Sequence, residues 1–108
     1  MPQRIDVRLT PYHFEWDETK NRSNVQKHGL DFSDAEEMFR GILLAQPDTR
    51  KDYGEMRWIG VGAIRSRIAV VVFAERGSET IRIISLRKAS RRESKEYEEA
   101  IENGLEAD

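Results

Sequence analysis

The sequence predicts a single α+β domain in which helices pack on an antiparallel sheet, and three observations predict it. Residues 68–74 are nearly all apolar and only seven long, which suits a central strand better than a helix. The segments on either side, 57–64 and 80–87, alternate apolar with small or charged residues and are joined to it by Arg65-Ser66 and Gly77-Ser78, both turn-forming pairs. Before and after these strands stand helix signatures: a cap, a helical stretch and a stop. At 108 residues the chain is one domain's length. A chain of that size buries roughly two-thirds of its unfolded surface, enough for one modest core.

Taken in order, residues 1–12 read as a leader of mixed polarity that either frays or adds an edge strand, ahead of a single domain over 13–108. Its Ile5, Val7 and Leu9 alternate only weakly. Phe14-Glu15-Trp16 reads as a short strand. Asp17 is an N-cap residue, and Gly29 is the stop of the helix it opens. That helix is unusually polar. Its inward stripe is expected at Asn21, Val25 and His28, so its anchoring is thin. Ser33-Asp34-Ala35-Glu36 has the capping-box pattern, followed by Ala35, Met38 and Phe39 as an apolar face and Gly41 as a stop. Residues 42–45 read as a strand, and 47–54 as a loop of turn formers and charges. Ser90-Arg91-Arg92-Glu93 is a second capping box, opening a last helix with Tyr97, Ala100 and Ile101 inward and Gly104 near its end. The expected order is a short N-terminal strand, two helices, three to four consecutive strands and a C-terminal helix.

Composition excludes several classes. The chain has no cysteine, which rules out a disulfide framework and a thiolate metal site; with only His13 and His28 a histidine-rich metal site is not expected, nor is a cofactor. No apolar run approaches the roughly 18 residues of a membrane span, and the N-terminus has no signal-peptide core. The expected location is cytoplasmic. The net charge of −2 conceals a sharp asymmetry. Between Arg65 and Lys95 lie nine basic and three acidic residues, a net of +6, whereas Glu96 to Asp108 carries six acids and no base. A basic sheet region before an acidic tail suits a phosphate ligand. Solvated surface charge is the alternative reading.

The segment 80–88 is the most informative. In a regular strand Ile81, Ile83, Ser85 and Arg87 share one face, while Arg82, Ile84, Leu86 and Lys88 share the other. Glu55 and Arg57 stand together at the mouth of their strand, and Arg76 follows the central one. Several guanidinium groups thus converge near a sheet end, where they match phosphate geometry. Cleavage of RNA through its 2′-hydroxyl needs a base for that hydroxyl and cationic stabilisation of the phosphorane. The arginines supply the second; Glu55, or a lysine such as Lys20 or Lys27, is the candidate for the first. Each residue also has a plain structural reading. Strand arginines snorkel, Glu55 and Arg57 make an ordinary hairpin pair, His28 satisfies a helix C-terminus, and Trp16 and Trp58 belong in a core.

These residues also carry a resemblance. Phe14-Glu15-Trp16-Asp17 with Lys20, Asn24, Lys27-His28-Gly29 and Phe32 resembles the opening signature of the BrnT toxin family. Gly54-Glu55 with Arg57 and Gly62 resembles its middle. Arg76 with Ile81-Arg82-Ile83-Ile84-Ser85, Arg87, Ala89, Arg92-Glu93 and Tyr97 resembles its close. The resemblance implies a RelE-like fold and a metal-independent endoribonuclease that inhibits translation. It implies Lys20, Glu55, Arg57, Arg76 and Arg87 as the candidate active residues. Arg82, Lys88, Arg91 and Arg92 are the basic residues expected to bind RNA. It further implies a BrnA-like antitoxin whose dimer holds two toxins in a heterotetramer and alone touches DNA. The competing functions are a non-catalytic RNA- or partner-binding module and a co-repressor within a toxin–antitoxin complex.

Overall fold

A computed structural model of the chain describes residues 3–5 and 12–106, with side chains over 12–104. Its elements run β1 (Gln3–Ile5), β2 (His13–Glu15), α1 (Glu18–His28), a 3-10 turn (Phe32–Asp34), α2 (Ala35–Arg40), β3 (Leu43–Pro47), β4 (Trp58–Ile64), β5 (Arg67–Arg76), β6 (Thr80–Lys88) and α3 (Arg91–Glu106). They form an α+β fold around one six-stranded sheet in the order β1-β3-β4-β5-β6-β2. The four strands from β3 to β6 are consecutive and antiparallel, as expected. Within the leader, Gln3–Ile5 lies antiparallel against β3, while residues 1–2 and 6–11 are outside the described residues. β2 departs from the antiparallel expectation and pairs parallel with β6. Both helices of the N-terminal half intervene before the chain rejoins the sheet at the far side, and a long crossover of that kind permits a parallel neighbour.

The sheet has two unlike faces. On the inner face, α1 lies against β6 and α2 against β4. Phe32, Met38, Phe39, Leu43, Val71, Phe73, Ile81, Ile83 and Leu86 are all nearly inaccessible there. Phe39 meets Phe14 and Phe73 edge-on, with ring centroids 5.3 and 5.0 Å apart. Gly60 makes this possible, since a Cβ there would stand 2.9 Å from Leu43 Cδ1 and 3.3 Å from Phe73 Cε1. Trp16 and Trp58 pack against this core, as their structural reading required. The outer face is crossed on one side by α3, whose Tyr97 hydroxyl donates to the Ile42 carbonyl at 2.7 Å.

α1 is held by amides rather than by apolar side chains, which corrects the expected stripe. Its buried residues are Asn21 and Asn24, while Val25 is 40% exposed. Asn24 Nδ2 donates to the Leu30 and Leu86 carbonyls at 2.9 and 2.8 Å, and its Oδ1 accepts from the Leu86 N–H at 3.2 Å. One side chain thus pairs with β6 as a further strand would. Asn21 Oδ1 accepts from the Phe32 N–H at 2.8 Å, fixing the chain as it leaves the helix. The ends of α1 are as the sequence foretold. Asp17 accepts from the Lys20 N–H, and Gly29 closes the helix at φ 73°, where a side chain would be strained.

Two further details differ. The Ser33 capping box does not form, because Asp31 captures both the Ser33 N–H and its hydroxyl at 2.9 Å and starts a 3-10 turn instead. In α3, which ends at Glu106 just past Gly104, Ala100 is exposed rather than inward because only part of the helix rests on the sheet. The second capping box forms in full: Glu93 N–H donates to Ser90 Oγ at 3.1 Å and Ser90 N–H to Glu93 Oε1 at 2.8 Å.

The amide clamp makes a direct prediction. Asn24→Ala leaves the Leu30 and Leu86 backbone groups buried without partners and should cost about 2–4 kcal/mol in urea unfolding. Val25→Ala, on the exposed side of the same helix, should stay within about 0.5 kcal/mol. Similar losses from both would show that α1 is anchored by its apolar residue after all.

Candidate active site

The site is a consequence of one irregularity in β6. Val72 pairs with Ser85, but Phe73 pairs with Ile83, so Ile84 is an extra residue in the strand. The alternation shifts by one, placing Ile81, Ile83 and Leu86 all on the buried face. Arg82 and Arg87 therefore share the outer face, whereas strict alternation had set them on opposite faces. The register completes the picture. Ala74 faces Arg82, Val70 faces both Val61 and Arg87, and Arg76 faces Thr80. Arg57, one residue before Trp58, falls on the same outer side. Arg57, Arg76, Arg82 and Arg87 are thus brought onto one face over a floor of Val70, Val72 and Ala74.

Each of these arginines is held by a carboxylate. Glu55 bridges two of them, with Oε1 3.1 Å from the Arg76 guanidinium and Oε2 3.4 Å from Arg57 Nε. Arg57 also lies over the Tyr53 ring, 4.1 Å from its centroid, which fixes the guanidinium plane. Arg82 donates to Glu15 at 2.7 Å across the parallel β2–β6 pair. Arg87 makes a two-pronged bond to Glu93, 2.8 Å at each oxygen. The Arg87 hydrogen bonds hold the Glu93 carboxyl at about 2, aided by Ser90 and opposed by desolvation. Glu93 in turn holds the Arg87 guanidinium above its ordinary value. Capping α3 and orienting Arg87 are therefore one task of one side chain.

The loop between β3 and β4 adds residues that sequence reading missed. The Asp48 side chain is fully buried and accepts from Arg50 Nε at 2.9 Å and from its terminal nitrogen at 3.0 Å. Those bonds, with help from the Tyr53 hydroxyl, draw the Asp48 carboxyl down to about 2 against the cost of burial. The Arg50 charge is felt at Arg87, so the loop carries a fifth guanidinium to the same region. The only sequence signal was an aspartate two residues before an arginine in a turn-rich loop, a common local motif.

Other expected residues stand apart. Lys20 is exposed on the first turn of α1. No ion pair or hydrogen bond joins its side chain to the arginines among the described residues. Lys88 faces Ala69 and lines a cleft with Arg65 and Arg67 at the inner side of the sheet end. Arg91 is exposed on α3, and Arg92 pairs with Glu96 at 3.0 Å on its surface.

The arrangement is a set of preoriented guanidinium groups over an apolar floor, suited to a phosphodiester. Residues 16–93 match the family described as ribonuclease toxin, BrnT, of type II toxin-antitoxin systems. The chain belongs to the BrnT ribonuclease toxin family. The matched span contains all four face arginines, Glu55 and Glu93. Among solved structures, the 1.1 Å crystal structure of the Brucella abortus ribonuclease toxin BrnT is similar at 35% identity, covering 74% of this chain and 99% of that one with a TM-score of 0.58. No curated protein matches the chain. BrnT membership makes this chain a ribonuclease toxin with an RNA target and an antitoxin partner. No helix among the described residues is long and apolar enough to cross a membrane.

The Glu93–Arg87 pair carries a pH signature. A carboxyl held at about 2, below its ordinary 4.5, stabilises the fold fully above pH 4.5 and loses that contribution as pH falls towards 2. Asp48 adds a similar loss between 3.8 and about 2. Glu93→Gln should therefore weaken the fold at neutral pH and flatten its acid dependence below pH 4.5, with the Asp48 share retained. Parallel stability curves for the two proteins from pH 6 to 2 would show that the pair contributes nothing.

Proposed function

We propose that the outer face cleaves RNA endonucleolytically, without a metal ion, by attack of a ribose 2′-oxygen on the adjacent phosphorus. The new P–O bond gives a 2′,3′-cyclic phosphate and the bond to the 5′-oxygen breaks. Arg57, Arg76 and Arg87 neutralise the charge that develops on the phosphorane. Glu55, poised between two arginines, accepts the 2′-hydroxyl proton. The leaving 5′-oxygen takes up a proton, for which Lys20 is the candidate donor. Arg82 contacts a flanking phosphate. Arg91 and Arg92 add general attraction. The observation that carries this reading is the placement of four carboxylate-held arginines on one face of the sheet in a BrnT chain.

Such an enzyme acts on cytoplasmic RNA, inhibits translation and needs an inhibitor. We assign that role to a BrnA-like antitoxin whose dimer carries two toxins and makes the only DNA contact. It would cover the arginine face and the flank of α1. Met56, 65% exposed beside Glu55 and Arg57, and Val25 on α1 offer apolar anchors to it. The interface should exceed ~1,000 Å² and tighten at low ionic strength.

Purified protein should cut RNA in excess EDTA. Arg87→Ala should slow cleavage more than ~10-fold, a loss above about 1.4 kcal/mol of transition-state stabilisation. Arg91→Ala should have a smaller effect that fades as salt is raised. Cleavage abolished by EDTA and restored by magnesium would overturn the mechanism, and equal effects from both arginines would reduce the site to nonspecific attraction.

A further inference from the structure

Between α3 and the outer face lies a cleft of about 150 Å³ that the cleavage chemistry does not use. Its floor is apolar, made by Leu44, Ile59 and Val61, and Tyr97 closes one side. Gln46 and Glu96 supply polar lining, and Glu93, bonded to Arg87, lines it as well. The cleft and Arg87 belong to one row of the sheet, since Leu44 faces Val61, Val61 faces Val70 and Val70 faces Arg87. Two strand spacings, about 10 Å, separate Val61 from Arg87. That is the reach of a single nucleotide from its phosphate to the far edge of its base.

We infer that this cleft holds one base of the RNA substrate, and that its polar edge selects guanine. The inference rests on the proposed cleavage at the arginine face. The apolar floor and Tyr97 suit the faces of a planar ring, while a stacked strand or a partner helix needs a longer groove. The edge decides between bases by charge. Glu93 is saturated by Arg87 and Ser90, so it shapes the cleft without reading the base. Among the described residues Glu96 is engaged only by Arg92, in a pair whose side chains are 63% and 88% exposed, and such a pair exchanges readily. A free carboxylate accepts two hydrogen bonds side by side. Guanine, with N1–H next to its N2 amino group, presents two adjacent donors to match. Adenine and cytosine bring one amino group each, and uracil brings a single N–H between two carbonyls. The Gln46 amide then supplies a donor for guanine O6. Because Gln46 lies on β3 only two residues from Asp48, the Asp48–Arg50 clamp holds this edge in register with the arginines.

The test is cleavage of a randomised RNA pool, with cut sites read by sequencing, together with titration of guanosine and uridine monophosphates followed by backbone NMR. The wild-type protein should favour guanine beside the cut at least tenfold. Glu96→Gln and Gln46→Ala should each erode that preference, and Arg87→Ala should slow all sites without changing it. Guanosine monophosphate should shift Gln46, Val61, Tyr97 and Ala100 resonances more than uridine monophosphate does. A cut pattern indifferent to guanine, or unmoved by both edge variants, overturns the inference while leaving the nuclease intact. Should the protein cut no RNA, the cleavage reading fails, and the titration alone then decides the cleft: unshifted resonances overturn it. If the edge variants weaken capture by the antitoxin and leave the cut pattern alone, the cleft is a protein-docking pocket and the inference is wrong.

Discussion

One extra residue in β6 decides what this sheet can do. Arg82 and Arg87 are five positions apart, and an odd separation in an unbroken strand sends two side chains to opposite faces. Ile84 absorbs the difference by standing outside the register between Val72 and Phe73. The bulge keeps Leu86 in the core with Ile81 and Ile83 and turns both arginines outward together. Bulges serve in this way elsewhere, re-aiming a side chain at a functional site at the cost of local pairing. Asn24 braces the strand just beyond the bulge by bonding both backbone groups of Leu86, the residue before Arg87. A polar helix with little apolar anchoring is thus tied to the strand that carries the site.

The carboxylates around the face set its working state. A long flexible cation loses rotamer entropy when it is ordered on a ligand, and an arginine already held by a carboxylate has lost most of it before the ligand arrives. The opposing cost is that an RNA phosphate must share or displace those partners. Their exposure grades that cost. Glu93 is bound at both oxygens and caps a helix, so it stays in place and fixes Arg87. Glu15 is 45% exposed and makes a single contact, so Arg82 is the more easily released. A rigid cation at one end of the face and exchangeable ones beyond it fit a site that grips one phosphate firmly and its neighbours loosely.

Much of the fold was legible because its signals are local. Asp17 and Gly29 bound α1, Ser90 and Glu93 open α3, and the two turn pairs separate three apolar strands, each from chemistry within a few residues. Glu55, Arg57, Arg76 and Arg87 stood out in the sequence through motif resemblance and the cluster of positive charge, and their roles belong to the proposed function. What escaped depends on long-range contacts. The bulge is set by packing between β5 and β6, and no composition signal marks Ile84. Asn24 reads as an ordinary polar helix residue until Leu86, 62 positions away, is brought to it. Asp48 looks like a loop carboxylate until it is found buried under Arg50. The parallel docking of β2 also depends on where the crossover returns, which short-range patterning does not encode.

The central claim is that RNA meets the arginine face and not the second basic cluster at Arg65, Arg67 and Lys88 on the inner side of the sheet. The most direct measurement is NMR of the arginine side-chain Nε–Hε signals during titration with a 2′-O-methyl RNA oligonucleotide, which binds but cannot be cut. Arg82 and Arg57 should shift as their carboxylate partners are exchanged for phosphate, Arg87 should shift as well, and Arg65 and Arg67 should stay unchanged. Shifts confined to Arg65 and Arg67, with the signals of Arg57, Arg82 and Arg87 unmoved, would contradict the account.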